Sequence, residues 1–367
     1  MNYEDRLAAC QKQLSVKDAE ALMLFPSVDM QYLSGFTDEP MERHLFLILG
    51  ENREPAFVAP ELYKSHIKDD SWVDDVRTYS DGGDPLALVA EVADDLGIGE
   101  GRLLVDDRMW AQFTIDLHET FPEADFGLAS EVIGELRVQK SDAEIGAIRR
   151  AGAAADAAIA DVRNLGSDAV GMTEAELGAY IEDRLTTHGG EENSFAPIVG
   201  SGPNGAKPHH RHGNREIDFG DPVVLDFGTR IGGYPSDQTR TVVFGGDPPA
   251  EFEVVHEVVR EAQQVAVEAV QPGVPVEAVD AAAREVIVDA GYGDAFIHRT
   301  GHGLGLEVHE DPYIVGGNDE QLQEGMVFSV EPGVYLEGKF GVRIEDIVVV
   351  TTDGCERLNN SSRDWQV

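Results

Sequence analysis

Positive charge is scarce in this chain. Its 367 residues carry 28 Lys and Arg against 69 Asp and Glu, a formal net charge of −41. Only seven cations are lysines: Lys12, Lys17, Lys64, Lys68, Lys140, Lys207 and Lys339. A surface this poor in cations cannot neutralise phosphates, which argues against nucleic acid or an anionic membrane as partner. Cysteine is nearly absent. Cys10 and Cys355 stand at opposite ends of the chain, so neither a disulfide framework nor a cysteine-rich metal site is expected. No apolar run approaches the length of a membrane span, and the opening stretch Met1–Leu7 lacks the apolar core of a signal peptide. These absences predict an intracellular, cytoplasmic protein that stays off the membrane.

What is present suits folding. The hydrophobic content is 42%, and the length allows two domains, each with its own core. The acid is spread evenly and does not form a tail. Self-repulsion on that scale weakens a compact chain in dilute buffer and is screened by salt. We therefore hypothesise a salt-rich, halophilic cytoplasm as its setting. Full stability at low salt, with no gain from molar KCl, would refute this.

Residues 1–136 read as a smaller α/β domain. Apolar runs at Ala21–Phe25, Leu45–Leu49, Ala56–Ala59 and Leu103–Val105 predict buried strands. Polar, periodic stretches at Tyr3–Leu14, Pro85–Leu96 and Met109–Thr120 predict helices between them. No catalytic signature falls in this part, which is expected to support or cover a site and to contribute to a dimer contact.

Residues 137–367 read as a second domain that repeats itself. Ser141 and Glu144 form a capping box ahead of a helix. The small or apolar positions 145, 148, 152, 155, 159 and 162 recur at identical intervals at 252, 255, 259, 262, 266 and 269. Each helix precedes another flanked by glycines eighteen residues apart, Gly171 and Gly189 in one case, Gly273 and Gly291 in the other. Then follows a strand with the same punctuation: Gly220, Asp226 and Gly228, against Gly325, Glu331 and Gly333. A second acid stands on each returning strand, Asp237 and Glu345. Three matched intervals, in order and offset by 102 to 107 residues, point to an internal duplication. Two helix–helix–hairpin units would then face each other across a pseudo-twofold axis, with four acids near it.

A carboxylate at the end of a buried strand is costly unless paired or bound to metal. For any one of these acids an ion pair or a turn cap is the plain reading. For four in repeated positions, with few lysines to pair them, a cationic centre fits better. The segment Phe296–Glu310 adds His298, His302 and His309 among three glycines. One imidazole with carboxylates favours Mn²⁺, Co²⁺ or Zn²⁺ over Mg²⁺ or Ca²⁺. Such a set can hold two ions that share bridging carboxylates, generating a hydroxide nucleophile at neutral pH.

These motifs resemble the pita-bread metallopeptidases, which include methionine aminopeptidase, Xaa-Pro aminopeptidase and Xaa-Pro dipeptidase (prolidase). The likeness spans roughly residues 137–360 and is carried by Pro208-His209, Asp226-Phe227-Gly228, Ser236–Thr241, Gly301–Gly305, Val308-His309-Glu310, Glu331-Pro332-Gly333 and Arg343–Asp346. Tyr32–Phe36 resembles the creatinase/prolidase N-terminal domain. The resemblance implies an α+β pita-bread fold with a duplicated C-terminal catalytic domain behind the smaller α/β domain. It implies two divalent metal ions, Mn²⁺ or Co²⁺ foremost and Zn²⁺ also compatible. Asp226 would chelate one ion, His302 and Glu331 the other, and Asp237 and Glu345 would bridge. Glu331 would also be general base, with His209 and His309 contacting substrate and tetrahedral intermediate. His298 and Arg343 would bind substrate or hold the site in shape, Arg343 alternatively as a clamp on a metal carboxylate. His210 and His212 are expected to be bystanders.

The implied activity is hydrolysis of the peptide bond preceding proline, on a small peptide with proline second, by a homodimer. Alternatives are an Xaa-Pro aminopeptidase on longer peptides and a non-peptide amide hydrolase such as ectoine hydrolase. A non-catalytic pita-bread module that binds peptides or proteins is a different class, disfavoured because all five ligands are kept.

Overall fold

Apolar runs alternating with amphipathic stretches build the first of two units, Met1–Arg137, in the computed structural model, which describes residues 3–367. Its six-stranded sheet has the order Asp75–Tyr79, Ala56–Pro60, Phe46–Gly50, Ala21–Leu24, Arg102–Val105, Asp125–Leu128. The four central strands are the apolar runs of the sequence. The two edge strands, DVRTY and DFGL, are half-exposed and too polar to announce themselves. Helices Tyr3–Val16, Pro85–Leu96 and Ala111–Thr120 lie where the periodicity put them. Asp84 caps the second by accepting from the Leu86 and Ala87 amides at 3.0 and 3.1 Å. Met23, Phe46, Val58, Val89 and Phe113 meet in one core, each contributing about 1.5–3 kcal/mol by leaving water. In the Tyr32–Phe36 motif, Gly35 ends the helix Val28–Ser34 at φ +84°, and buried Phe36 then packs edge-on against Phe57.

The second unit, Val138–Val367, shows the repeat in three dimensions. Helices Asp142–Asn164 and Glu174–Thr187 correspond to Phe252–Ala269 and Val276–Asp289. The shorter helices are both 14 residues long. Their flanking glycines all take positive φ: +89° and +93° for Gly171 and Gly189, +80° and +87° for Gly273 and Gly291. At the start of the first helix, the Glu144 carboxylate accepts from the Ser141 amide at 2.7 Å and from its hydroxyl at 2.5 Å. Each half keeps its own core. One gathers Ile159, Leu177, Ile181, Leu225 and Phe244; the other gathers Phe252, Val259, Val279, Phe328 and Val348.

A hairpin closes each half. Pro222–Phe227 pairs antiparallel with Gln238–Val243, and Val327–Val330 with Asp346–Val350. The hairpins are stitched together near their acidic ends. The Glu345 amide donates to Thr239 O at 3.1 Å, while Thr241 Oγ1 bonds the carbonyl and the amide of Arg343 at 3.0 and 3.1 Å. Among the described residues no helix is long and apolar enough to cross a membrane.

Candidate active site

Strand ends deliver the acids. Asp226 lies one residue before the end of its strand and Asp237 immediately before the start of its partner, where Gly228 leaves room for the return. A Cβ on Gly228 would sit 1.9 Å from Ser236 O. Glu331 follows Val327–Val330 and Glu345 precedes Asp346–Val350, the matching places in the other hairpin. His302 arrives on the short strand Gly301–Gly303, whose close approach a side chain on Gly301 would block at 1.9 Å from Ser329 O.

The five side chains converge. His302 Nε2 is 3.3 Å from Glu331 and 3.7 Å from Asp237. Ligand atoms of Asp237, His302 and Glu345 lie within 4.8 Å of one another. Thr239 Oγ1 donates to Glu345 at 2.7 Å, and Ser329 Oγ donates to Glu331 at 3.2 Å. Arg343 donates to Asp226, to Thr239 Oγ1 at 3.0 Å and to the Tyr335 hydroxyl at 2.8 Å.

This much buried negative charge is unbalanced. Burial, with the neighbouring acids, pushes the Asp237 and Glu345 carboxyls well above the usual range. Burial also raises Asp226, against the pull of Arg343. Burial works on Glu331 in the same direction, but the hydrogen bond and charge of His302, with His298 and Arg343, outweigh it and hold Glu331 below the usual carboxylate range. Two carboxylate oxygens, Oδ1 of Asp226 and Oδ1 of Asp237, are buried with no hydrogen-bond donor. The imidazole of His302 has Nδ1 against Gly303 O at 3.1 Å, which turns Nε2 towards the acids. Unpartnered carboxylate oxygens and an Nε2 aimed at them form a donor set that divalent cations complete, so these residues fit a metal centre.

Above them opens a cavity of about 960 Å³. His209 and His309 are exposed on its wall, and His309 stands edge-on to His302 with ring centres 4.2 Å apart. Partial burial and the His302 charge push His309 below the ordinary imidazole value. His298 also lines the cavity, but its nitrogens are spent on Arg299 O at 2.7 Å and the Tyr335 hydroxyl at 2.9 Å. Arg343 is 3% exposed, and its donors are directed at protein acceptors. His212 bonds Pro197 O at 2.7 Å. His210 lies 2.8 Å from Glu174, whose buried carboxylate also gathers Ser201 and Asn204 and so pins the loop that carries His209.

Four residues of this site had no role assigned from the sequence. Tyr335 joins His298 to Arg343, and burial pushes its hydroxyl up to about 12. Thr239 lies in the quoted Ser236–Thr241 motif, yet its bridge between Arg343 and Glu345 needs the second hairpin to be visible. Glu174 reads locally as the first residue of a capped helix. Arg299 is half-buried in the cavity wall, stacked on the Tyr313 ring at 4.2 Å, and forms no ion pair with any acid among the described residues.

Comparison with known proteins agrees with this architecture. Residues 146–352 match metallopeptidase family M24, and residues 6–139 match the creatinase/prolidase N-terminal domain. The chain is 42% identical over 362 residues to a probable dipeptidase PepE of Mycobacterium tuberculosis, covering 98% of this chain and 94% of that one. It is 38% identical over 350 residues to an Xaa-Pro dipeptidase of Lactobacillus delbrueckii subsp. lactis, covering 92% of each. Among solved structures, a recombinant prolidase from Thermococcus sibiricus superposes with a TM-score of 0.93 at 41% identity, covering 99% of this chain and 98% of that one.

Proposed function

The chain belongs to metallopeptidase family M24, with a creatinase/prolidase N-terminal domain and a pita-bread catalytic domain, and from that premise we propose that it is a dinuclear Xaa-Pro dipeptidase. The observation that carries this reading is the floor of the cavity: four carboxylates and His302, two of whose oxygens have no protein donor. Asp226, Asp237, His302, Glu331 and Glu345 would hold the ions. Two divalent ions bound there supply Lewis-acid polarisation of the scissile carbonyl and a nucleophile at neutral pH. Mn²⁺ and Co²⁺ suit the set best.

The protein's own groups do the remaining work. As in any amide hydrolysis the leaving nitrogen must be given a proton, and in a bond to proline that nitrogen carries none of its own. Glu331, fixed by Ser329 and His302, accepts a proton from water and passes it on. His209 and His309, exposed on the wall, hydrogen-bond the substrate carbonyl and the oxyanion that develops from it. Arg343 acts as a clamp: its bonds to Asp226 and Thr239 fix one carboxylate directly and Glu345 through Thr239. His298 and Tyr335 extend that brace.

Arg299 supports a dipeptide over a longer chain. A guanidinium braced on an aromatic face and left without an acid partner suits the free carboxylate of a terminal proline. Ala-Pro and Ala-Pro-Ala should therefore differ in the metal-loaded protein, with Ala-Pro preferred by roughly two orders of magnitude in kcat/KM. Arg299→Gln should raise KM for Ala-Pro and leave Ala-Pro amide unchanged. Equal turnover of Ala-Pro-Ala would favour the aminopeptidase alternative. A metal-loaded protein inert on every Xaa-Pro substrate would move the reading to a non-peptide amide.

A further inference from the structure

Behind the metal-site strand lies a second cleft, of about 410 Å³, lined by Asp346, Arg357, Ser361 and Arg363 among others. Three guanidiniums converge on one carboxylate there. Arg240 reaches Asp346 at 2.6 Å, Arg357 at 3.3 Å and Arg363 at 3.9 Å. The 3.3 Å approach is misaligned, so Arg357 Nε donates to nothing. The remaining acceptors are neutral. Arg357 and Arg363 share the side-chain oxygens of Gln263 and Gln264 at 2.7–3.3 Å.

The acids nearest the cleft other than Asp346 are engaged by other partners. Glu356 at the rim is held by Arg149 at 3.0 Å, and Asp156 is taken by the amides of Asn360 and Ser361 and by Gln238. Arg363 also borders a neighbouring cleft with Asp364, Glu261 and Glu257, the last held by Arg260 at 2.6 Å. Burial, with Arg357, Arg240 and Arg260 nearby, pushes the Arg363 guanidinium below its ordinary value, with Asp346 opposing. In a chain with 69 acids and 28 bases, a cationic cleft has to be built deliberately. Arg357 and Arg363 keep 22% and 28% of their side chains exposed, so the cleft can be reached from solvent.

We propose that this cleft binds a small oxyanion of the sulfate or phosphate class between Arg357 and Arg363. Planar forks of N–H donors match oxyanions better than they match a spherical halide. The site is tied to the catalytic floor by Arg240, which donates to the Glu345 carbonyl at 2.5 Å and to the carbonyls of Ser361 and Ser362 at 3.2 and 3.1 Å. An anion here would therefore fasten the C-terminal segment 355–363 to the strand beginning beside Glu345. None of this depends on the substrate assigned above.

The test is calorimetric titration of sulfate into the metal-loaded full chain, with chloride replaced at constant ionic strength. One saturable site per chain is expected, weakened by roughly tenfold or more in Arg363→Gln and in Arg357→Gln. Thermal melts of both variants separate lost binding from lost folding, and the more exposed Arg363 is the safer substitution. No saturable site, or equal affinity in wild type and both folded variants, overturns the proposal. Chloride that displaces sulfate at equal concentration overturns the oxyanion assignment.

Discussion

The two halves of the catalytic unit share a frame but treat their acids differently. In the second half, Ser329 and His302 engage Glu331, and Thr239 engages Glu345. In the first half, Asp226 has Arg343 on one oxygen while its other oxygen, and Oδ1 of Asp237, have no donor. His302 and Arg343, the nitrogen groups that approach these acids, both come from the second half. Divergence after duplication has thus given one half the means to stabilise charge and left the other dependent on something bound. The half with shorter acids and fewer partners is where a metal ion has most to gain.

That comparison breaks most visibly at Asp237. Asp237→Asn should lower kcat/KM by about a thousandfold or more, because a carboxylate at the centre of the site is lost. In metal-free protein the same change should raise the melting temperature, since it removes a buried carboxylate crowded by other acids, one of whose oxygens has no donor. Glu345→Gln should lose as much activity yet gain less metal-free stability, because Thr239 already serves that carboxylate. Equal stabilisation by the two variants, measured in melts with and without metal, would erase the asymmetry between the halves.

Next in size is a difference in pH response. His256 in the second half occupies the repeat position of Arg149 in the first, 107 residues earlier. Arg149 is exposed and grips Glu356. His256 is 3% exposed, packs against the Phe252 ring, and has no partner at Nε2. Burial, with Arg260 and Arg163 nearby and Glu257 and Asp364 opposing, pushes it down to about 4 from 6.5. The unfolded chain therefore takes up a proton that the folded chain refuses. Stability is full above pH 6.5 and falls as pH drops towards 4, by at most about 3 kcal/mol from this group. His256→Leu should flatten that part of a stability–pH curve. An unchanged slope would mean that the ring finds a partner when charged.

How much of this was legible depended on whether the signal was local. Core strands such as Leu103–Val105, the capping box at Ser141, and the glycine-flanked helices follow from residue type and spacing alone. So did four of the five converging side chains, because the repeat put an acid at the same place twice; His302 came from its glycine-rich segment and the ligand roles from the family resemblance. Roles that need two distant segments were hidden. Tyr335 has no period or motif of its own, yet it joins His298 to Arg343 across the site. Thr239 meets Glu345 only because one hairpin is laid on the other. The edge strands Asp75–Tyr79 and Asp125–Leu128 were missed for another reason: half-exposed strands need no apolar run, and pairing with a neighbour is enough to form them.

The smallest expected effect tests the shared frame itself. Gly171 and Gly273 precede the matched helices with φ of +89° and +80°, and a Cβ at either would meet nothing within 4 Å. Replacement by Ala thus costs backbone strain alone, about 1–2 kcal/mol at each position. Gly228 sits in a different situation: its added Cβ would lie 1.9 Å from Ser236 O, beside an acid of the site. Gly171→Ala and Gly273→Ala should therefore lower stability by equal amounts in denaturant melts and leave kcat/KM unchanged, whereas Gly228→Ala should reduce activity as well. If the two helix glycines differed by much more than about 0.5 kcal/mol, the halves would differ in backbone as well as in chemistry, and the asymmetry at the acids would no longer be the feature that sets them apart.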